Sequence, residues 1–189
     1  MSDELIELVL DDASDRMAKA ITHAKQEFSK IRSGRAAPQL VERIRAEAYG
    51  VEMAILELAS ISVPEARQLA ITPHDPANID AIERAIRNSD LGLSPSSDGR
   101  SIRLNFPPLT EERRKELVRL VKSMAEDGRV AIRNVRREAR KELEAAEKDG
   151  QMSKDDLDRS EKELDKTTQA AEAQIDAALE DKESELLEV

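Results

Sequence analysis

Helix-breaking residues are confined to one part of this 189-residue chain. All seven prolines lie between Pro38 and Pro108, and four of the six glycines lie between Gly34 and Gly99. Because proline and glycine disrupt long helices and favour turns, this distribution predicts a helical body interrupted by a different domain. We place the inserted domain at residues 34–106 and the body at residues 1–33 and 107–189.

Three apolar stripes predict the helices of the body, because their members recur at helical spacing. A helix with one apolar stripe needs partners to cover it, so we expect a long three-helix bundle and, with no stripe left over, a monomer. Gly150 fits the end of the second helix, and Ser153 fits the N-cap of the third. The stripes comprise Leu10, Ala13, Met17, Ile21, Ala24, Phe28 and Ile31; then Leu117, Val121, Met124, Gly128, Ala131, Val135, Ala139, Leu143 and Ala146; and finally Leu157, Leu164, Ala171, Ile175, Leu179 and Leu186.

Gly128 is unusual because it lies on the apolar stripe of the second helix. Its missing side chain could let two helices approach closely, or it could simply weaken the helix by roughly 1 kcal/mol. We favour the second interpretation at this stage.

The inserted segment shows strand patterns instead. Apolar residues alternate over 44–48, over 56–63 and at Ile102, Leu104 and Phe106, and 68–72 resembles a further short strand. Asp75 and Pro76 begin a helix that should end near Ser89, and residues 94–99 form a turn. The fold class expected is therefore α+β, with a small α/β domain inserted into a long three-helix bundle.

The chain offers little chemistry of the kind enzymes use. It has no cysteine and only two histidines, His23 and His74, with no partner at metal-ligand spacing and no glycine-rich phosphate loop. We therefore expect no enzyme activity, no metal and no cofactor. No stretch approaches the ~20 apolar residues of a membrane span, and residues 1–5 lack the basic region of a signal peptide, so we expect a cytoplasmic protein without a membrane partner.

Charge is distributed unevenly along the chain. The net charge is −10, yet residues 111–141 contain 11 basic and 6 acidic side chains, whereas residues 142–189 contain 6 basic and 17 acidic ones. Between residues 129 and 141, Glu138 is the single acidic residue among six basic ones. Such a run indicates a surface for RNA, because arginine suits bidentate phosphate contacts. The alternative is an ordinary solvated helix face.

The basic residues share one side of the second helix on a helical wheel. With Ala131 at the centre of the buried face, the angles between about 140° and about 200°, opposite the predicted core, are occupied by Lys115, Lys122, Arg129, Arg133, Arg136 and Arg140. The candidate RNA-binding residues on this helix are Lys122, Arg129, Arg133, Arg136, Arg137 and Arg140.

A second basic cluster stands where the first helix meets the insert. Arg32 and Arg35 follow Lys30 within a few residues. They could extend the RNA-binding surface, or they could complement the negative end of the first helix dipole. Both interpretations remain open.

Four phrases of the sequence resemble the bacterial ribosome recycling factor family. They are KIRSGRA at 30–36, SDLGL at 89–93, PPLTEERRK at 107–115 and VAIRNVRR at 130–137, and they occur in family order with the C-terminal DKESELL at 181–187. The resemblance spans the whole chain. It implies an L-shaped protein with a three-helix rod and a hinged α/β domain, similar in size to transfer RNA.

The resemblance also implies a function. Family members bind the post-termination ribosome between its subunits and split it together with elongation factor G, the GTPase that hydrolyses GTP. The rod contacts large-subunit ribosomal RNA through arginines that match Arg133 and Arg136, helped by Arg129, Arg137, Arg32 and Arg35.

Helix breakers at both junctions of the insert suggest hinges. We expect them at Ser33 and Gly34 on entry, and at Asn105, Phe106, Pro107 and Pro108 on exit. A rival interpretation of the whole chain is a helical adaptor or chaperone, in which the acidic rod binds protein partners and the arginines are incidental.

Overall fold

A computed structural model describes residues 2–188 and divides the chain into two compact units. The first unit combines residues up to 31 with those from 111 onward, and the second contains residues 32–110. The helices are α1 (Ser2–Lys30), α2 (Gln39–Glu42), α3 (Ile55–Leu58), α4 (Ile79–Arg87), α5 (Glu111–Lys148) and α6 (Lys154–Leu187). The strands are β1 (Arg45–Ala48), β2 (Val51–Ala54), β3 (Ala59–Glu65), β4 (Gln68–Pro73), β5 (Ser96–Ser97) and β6 (Ile102–Asn105).

The first unit is a three-helix bundle of α1, α5 and α6, so the predicted fold class is confirmed. Each helix buries one stripe and exposes most of its charged side chains, as helical periodicity requires. On α1 the buried residues match the predicted stripe, with Leu10 and Ile31 half-buried at its ends. The buried apolar residues of α1 are Ala13, Met17, Ile21, Ala24 and Phe28, and those of α6 are Leu164, Ala171, Ile175 and Leu186.

The buried stripe of α5 is rotated relative to the prediction. Ala131, expected at its centre, is exposed, whereas Ile132 is fully buried. Met124 is half-buried and the adjacent Ala125 is buried. The prediction was wrong because apolar residues stand side by side at these two places, and helical spacing alone does not distinguish them.

Gly128 lies where α5 faces both α1 and α6. A Cβ atom placed on it would come within 2.8 Å of Ile175 Cδ1 and within 3.3 Å of Ala24 Cβ. Both distances are shorter than ordinary carbon contacts of about 3.5–4.0 Å. The favoured interpretation of Gly128 as a mere weak point was therefore wrong, since its missing side chain lets α1 and α6 pack against α5.

The connection between α5 and α6 follows the predicted capping chemistry. Gly150 has φ 71°, and the amides of Gly150 and Gln151 donate to the carbonyls of Glu147 and Ala146. This pair of hydrogen bonds is the Schellman pattern that closes a helix. The Ser153 hydroxyl then accepts from the Asp156 amide at 3.1 Å and caps α6.

The second unit contains two antiparallel sheets. β1 and β2 form a hairpin, and the remaining strands are arranged β3-β4-β6-β5. Ile71 pairs with Ile61 on one side and with Ile102 on the other, so β4 is central. The core of this unit consists of Val41, Ala46, Ala48, Ile55, Leu58, Ala59, Leu69, Ile71, Ile79, Ile82, Ile86, Ile102 and Leu104.

Two local predictions in this unit were wrong. Residues 55–58 form the single helical turn α3, because Ile55 and Leu58 are both buried three positions apart while Leu56 is 58% exposed. Within the turn expected at 94–99, Ser96 and Ser97 pair with Arg103 and Ile102 as β5.

The two connections that join this unit to the helices lie side by side. A Cβ atom on Gly34 would be 3.5 Å from both the Pro107 carbonyl oxygen and Leu109 Cγ. Asn105 is the last residue of β6, and the Phe106 amide donates to the Arg67 carbonyl at 2.8 Å. Asn105 therefore belongs to the sheet and Phe106 is bonded to the turn between β3 and β4, whereas Ser33, Gly34, Pro107 and Pro108 lie outside regular elements.

Candidate nucleic-acid interface

Five basic residues of α5 occupy one flank of the bundle core. Each stands directly after a residue on the inward-facing side of the helix, the position that flanks the seam in coiled-coil packing. Lys122 follows Val121, Arg129 follows Gly128, Arg133 follows Ile132, Arg136 follows Val135, and Arg140 follows Ala139.

Acidic residues of α6 face this flank one by one. We call the resulting series of five ion pairs the charge ladder. Its N···O distances are 3.2 Å for Lys122–Glu183, 2.7 Å for Arg129–Asp176, 3.9 Å for Arg133–Glu172, 3.6 Å for Arg136–Asp165 and 2.9 Å for Arg140–Glu161. Every acidic partner also follows a buried residue directly, namely Ser160, Leu164, Ala171, Ile175 or Lys182.

The predicted position of the basic face was therefore wrong. The ladder residues of α5 lie about 60° to 120° from the centre of the buried stripe, not opposite to it. The error follows from the placement of Ala131 at the centre of the core. Of the six candidates on α5, all but Arg137 instead lie beside α6.

The ladder is a charge-balanced but accessible surface. The hydrogen bond to Asp176 raises the pKa of the Arg129 guanidinium, and the charge of Glu161 raises the pKa of Arg140. Hydrogen bonds from Arg129 and then Arg133 lower the pKa of Glu126, so this carboxylate stays ionised near neutral pH. A pair that is exposed and lies beyond hydrogen-bonding distance contributes little net stability, so an incoming phosphate can replace its carboxylate at small cost.

The middle of the ladder is its loosest part. The pairs of Arg133 and Arg136 exceed hydrogen-bonding distance, and their side chains are 42% and 44% exposed. Arg129, by contrast, is only 23% exposed and donates through two nitrogens to Asp176. Among the described contacts, Arg136 consequently keeps all its hydrogen-bond donors for an anionic ligand, and Arg133 keeps those that do not contact Glu126 within α5.

Arg137 points away from the core, about 160° from the centre of the buried stripe. Within residues 2–188 it has no ion-pair partner. Arg119 has the same orientation and is also exposed, yet the sequence-based selection omitted it. Both extend the basic surface of α5 outward from the ladder.

Arg32 and Arg35 belong to the second unit, whereas the ladder belongs to the first. Arg32 lines a surface cavity together with Arg45 and with Asn88, Ser89 and Asp90, which follow α4. Both Arg32 and Arg35 are exposed.

Other features of the described residues offer no competing site. His23 and His74 are exposed, and over residues 2–188 no group of three or more potential metal ligands comes together. Over the same part of the chain, no helix combines the length and apolar character that a membrane crossing requires.

A family model for ribosome recycling factor matches residues 24–187. The chain belongs to the ribosome recycling factor family. The match includes all of α5 and therefore the whole basic side of the charge ladder.

Curated relatives agree over nearly the full length. The ribosome-recycling factor of Rubrobacter xylanophilus is 53% identical over 180 residues, which are 95% of this chain and 97% of the relative. That of Corynebacterium kroppenstedtii is 48% identical over 185 residues, covering 98% of this chain and all of the relative.

Solved structures show the same fold. A solution structure of a ribosome recycling factor is 41% identical, with a TM-score of 0.74 and coverage of 97% of this chain and 98% of that one. A second neighbour is 40% identical with a TM-score of 0.63, covering 97% and 99%. It is described among models for the T. thermophilus ribosome recycling factor and the E. coli elongation factor G bound to the E. coli post-termination complex.

Proposed function

We propose that this protein recycles ribosomes after translation termination, by binding the post-termination ribosome and promoting its dissociation with elongation factor G and GTP. Family membership supports the recycling role, and the structural neighbour bound to a post-termination complex alongside elongation factor G supports the two partners. In this proposal the chain has no catalytic residue or cofactor, and the GTPase supplies the energy.

The basic side of the charge ladder, Lys122, Arg129, Arg133, Arg136 and Arg140, is called the α5 flank below. It is the surface that we propose for large-subunit ribosomal RNA. The observation that carries this assignment is the loose centre of the ladder, where both ion pairs with α6 exceed hydrogen-bonding distance and Arg133 donates only to Glu126 within α5 among the described residues. Arginine binds phosphate through two parallel hydrogen bonds. Lys122, Arg129 and Arg140 add charge from the ladder, Arg137 adds it from the outer side, and Arg32 and Arg35 add it from the second unit.

Charge reversal at Arg133 and Arg136 tests the surface. The double variant Arg133→Glu with Arg136→Glu should weaken ribosome binding by at least about a hundredfold, because two phosphate contacts become repulsions. Sedimentation with ribosomes at two salt concentrations measures the effect. The matched control is Lys19→Glu with Lys25→Glu, the same change of net charge on exposed positions of α1.

Subunit splitting in the presence of elongation factor G and GTP tests the function itself. The wild-type chain should split post-termination ribosomes, and the arginine variant should not. If the chain bound other proteins but did not bind ribosomes, the adaptor interpretation would be favoured. If the control variant lost binding as severely as the arginine variant, the assignment of the α5 flank would be wrong.

We also propose that the second unit moves about its two connections during splitting. Ser33, Gly34, Pro107 and Pro108 are the hinge positions, because Asn105 lies in β6 and the Phe106 amide is bonded to the Arg67 carbonyl. Gly34 has φ 77°, a conformation that other residues adopt only with strain. In the same splitting assay, a cross-link between the two connections should slow dissociation without weakening binding; an unchanged rate would remove the hinge from the mechanism.

A further inference from the structure

The charge ladder assigns a role to the acidic side of the bundle as well as to the basic side. Five carboxylates of α6 stand beside the cations that the proposed function assigns to ribosomal RNA. Acidic residues at an RNA-binding surface oppose binding, so their alignment with the cations requires an explanation. Each pair has one side chain that is at least 42% exposed, so the pairs add only modest stability to the packing of α5 against α6, and helix packing alone does not explain the alignment.

We propose that the ladder carboxylates are specificity-determining residues that suppress binding to RNA other than the ribosomal site. The inference rests on the proposed function, since it presumes that ribosomal RNA is the correct ligand. The residues are Glu161, Asp165, Glu172, Asp176 and Glu183, each within 4.0 Å of its partner nitrogen.

The physical basis lies in the range of the two kinds of interaction. Non-specific RNA binding depends almost entirely on electrostatic attraction to phosphates, whereas specific binding adds contacts that require a matching shape. Alternating charges at the spacing of the ladder cancel at a distance of about one Debye length, ~8–10 Å. The α5 flank therefore attracts an arbitrary RNA weakly, yet presents arginine donors to a ligand that fits against it.

The geometry of the ladder matches this role. From Lys122 to Arg140 the basic side extends about 27 Å along α5, at ~1.5 Å per residue. An RNA duplex presents many phosphates over such a length, so without the carboxylates the flank would hold almost any duplex. The loose pairs at Arg133 and Arg136 lie in the middle, where a fitted ligand can displace the carboxylates with least loss of hydrogen bonds.

The decisive variant is Glu172→Gln with Asp176→Asn, which removes two charges and keeps the side-chain shapes. It should bind an RNA duplex of arbitrary sequence and about 20 base pairs roughly tenfold more tightly than the wild type, since two nearby repulsions are removed. Ribosome affinity should change by less than about threefold. Fluorescence anisotropy with the duplex and sedimentation with ribosomes measure the two quantities.

A charge-matched control separates the ladder from net charge. Glu163→Gln with Glu180→Gln removes two exposed α6 carboxylates that have no ion pair with α5 in the described residues, and should leave duplex binding within about twofold of the wild type. Glu161→Gln with Asp165→Asn repeats the test at the other end of the ladder. Thermal unfolding of each variant confirms that it folds.

The outcomes are distinguishable from those of the proposed function. Unchanged duplex binding by both ladder variants would overturn the inference, and so would equal gains in duplex and ribosome binding or equal gains by the control. If the wild-type chain failed to bind ribosomes, the proposed function would fall first, whatever the duplex measurements showed.

Discussion

The two units of the chain bury their apolar side chains in different ways. The second unit has a core of 13 apolar residues in which large side chains such as Leu69, Ile82 and Ile102 are completely buried. The helical unit has a narrow seam that includes small residues and a glycine, and it buries Ser160, Thr168 and Lys182 as well. One core is a compact cluster, and the other is a long line of contacts.

This difference explains why a regular series of ion pairs occurs in the helical unit and not in the second unit. In the bundle, residues that flank a core position lie beside a neighbouring helix over its whole length, so opposite charges can pair repeatedly, as in the ladder. The short elements of the second unit offer no such length. Its ion pair Arg87–Glu83 is local to α4 at 2.5 Å. The helical unit thus has a narrower core than the second unit, but it has a regular charged surface along its helices.

The largest expected effect comes from the compact core. Ile82→Ala should destabilise the second unit by about 4 kcal/mol, because Ile82 is fully buried and its neighbours cannot collapse completely into the space. Hydrogen exchange should show the loss of protection mainly in the β3, β4 and β6 amides. Equal loss of protection along α5 and α6 would contradict the division into two separately packed units.

A smaller effect is expected at the seam. Gly128→Leu should destabilise the bundle by about 3 kcal/mol, because the added atoms overlap Ile175 and Ala24. Gly128→Ala should change stability by less than about 1 kcal/mol, since improved helix propensity offsets the contact with Ile175 Cδ1.

The control for the seam is Ile175→Val, which removes the Cδ1 atom. In chemical denaturation, the combination of Gly128→Ala with Ile175→Val should be more stable than the two separate changes predict. Strict additivity would show that Gly128 is not required for close packing, and would weaken the comparison between the two cores.

The smallest effect is a pH dependence of the second unit. The Ala77 amide and then the Tyr49 hydroxyl donate to Asp75 and lower its pKa below the ordinary value of 3.8. A carboxyl group with a lowered pKa stabilises the fold above its unfolded pKa, and this contribution disappears as the pH falls through the folded value. The second unit should therefore lose stability below about pH 4.

Asp75→Asn should reduce this acid dependence, because it removes the titrating group while the amide oxygen can still accept from Ala77. Denaturation followed at a series of pH values between about 5 and about 2 measures it. An identical acid profile for the variant would mean that other carboxyl groups determine the acid response of this unit.

Much of the architecture could be predicted from local chemistry. The distribution of proline and glycine separated helix from sheet, and Ser153 and Gly150 marked helix ends because each satisfies particular backbone groups. The side of α5 that is buried could not be predicted in this way. Ala131 and Ile132 are both apolar, and only the positions of α1 and α6 determine which of them is buried.

The charge ladder was missed for a related reason. The basic run on α5 was visible, but its pairing depends on how far α6 is displaced along α5, which no local pattern specifies. A signal did exist, because Glu172 and Asp176 directly follow Ala171 and Ile175, just as Arg133 follows Ile132. Comparing the residues that follow core positions on different helices would have revealed the pairing.

The adjacent connections at Gly34 and Pro107 have a consequence for folding order. An unstructured segment of this length between α1 and α5 would impose a loop-closure cost that grows with the logarithm of its length. Once the second unit has folded, its two ends lie within a few ångströms of each other, and the helices are joined as if by a short turn. A fast-folding insert would thereby accelerate assembly of the bundle that surrounds it in sequence, so a domain with a separate core also acts as a folding aid for its host.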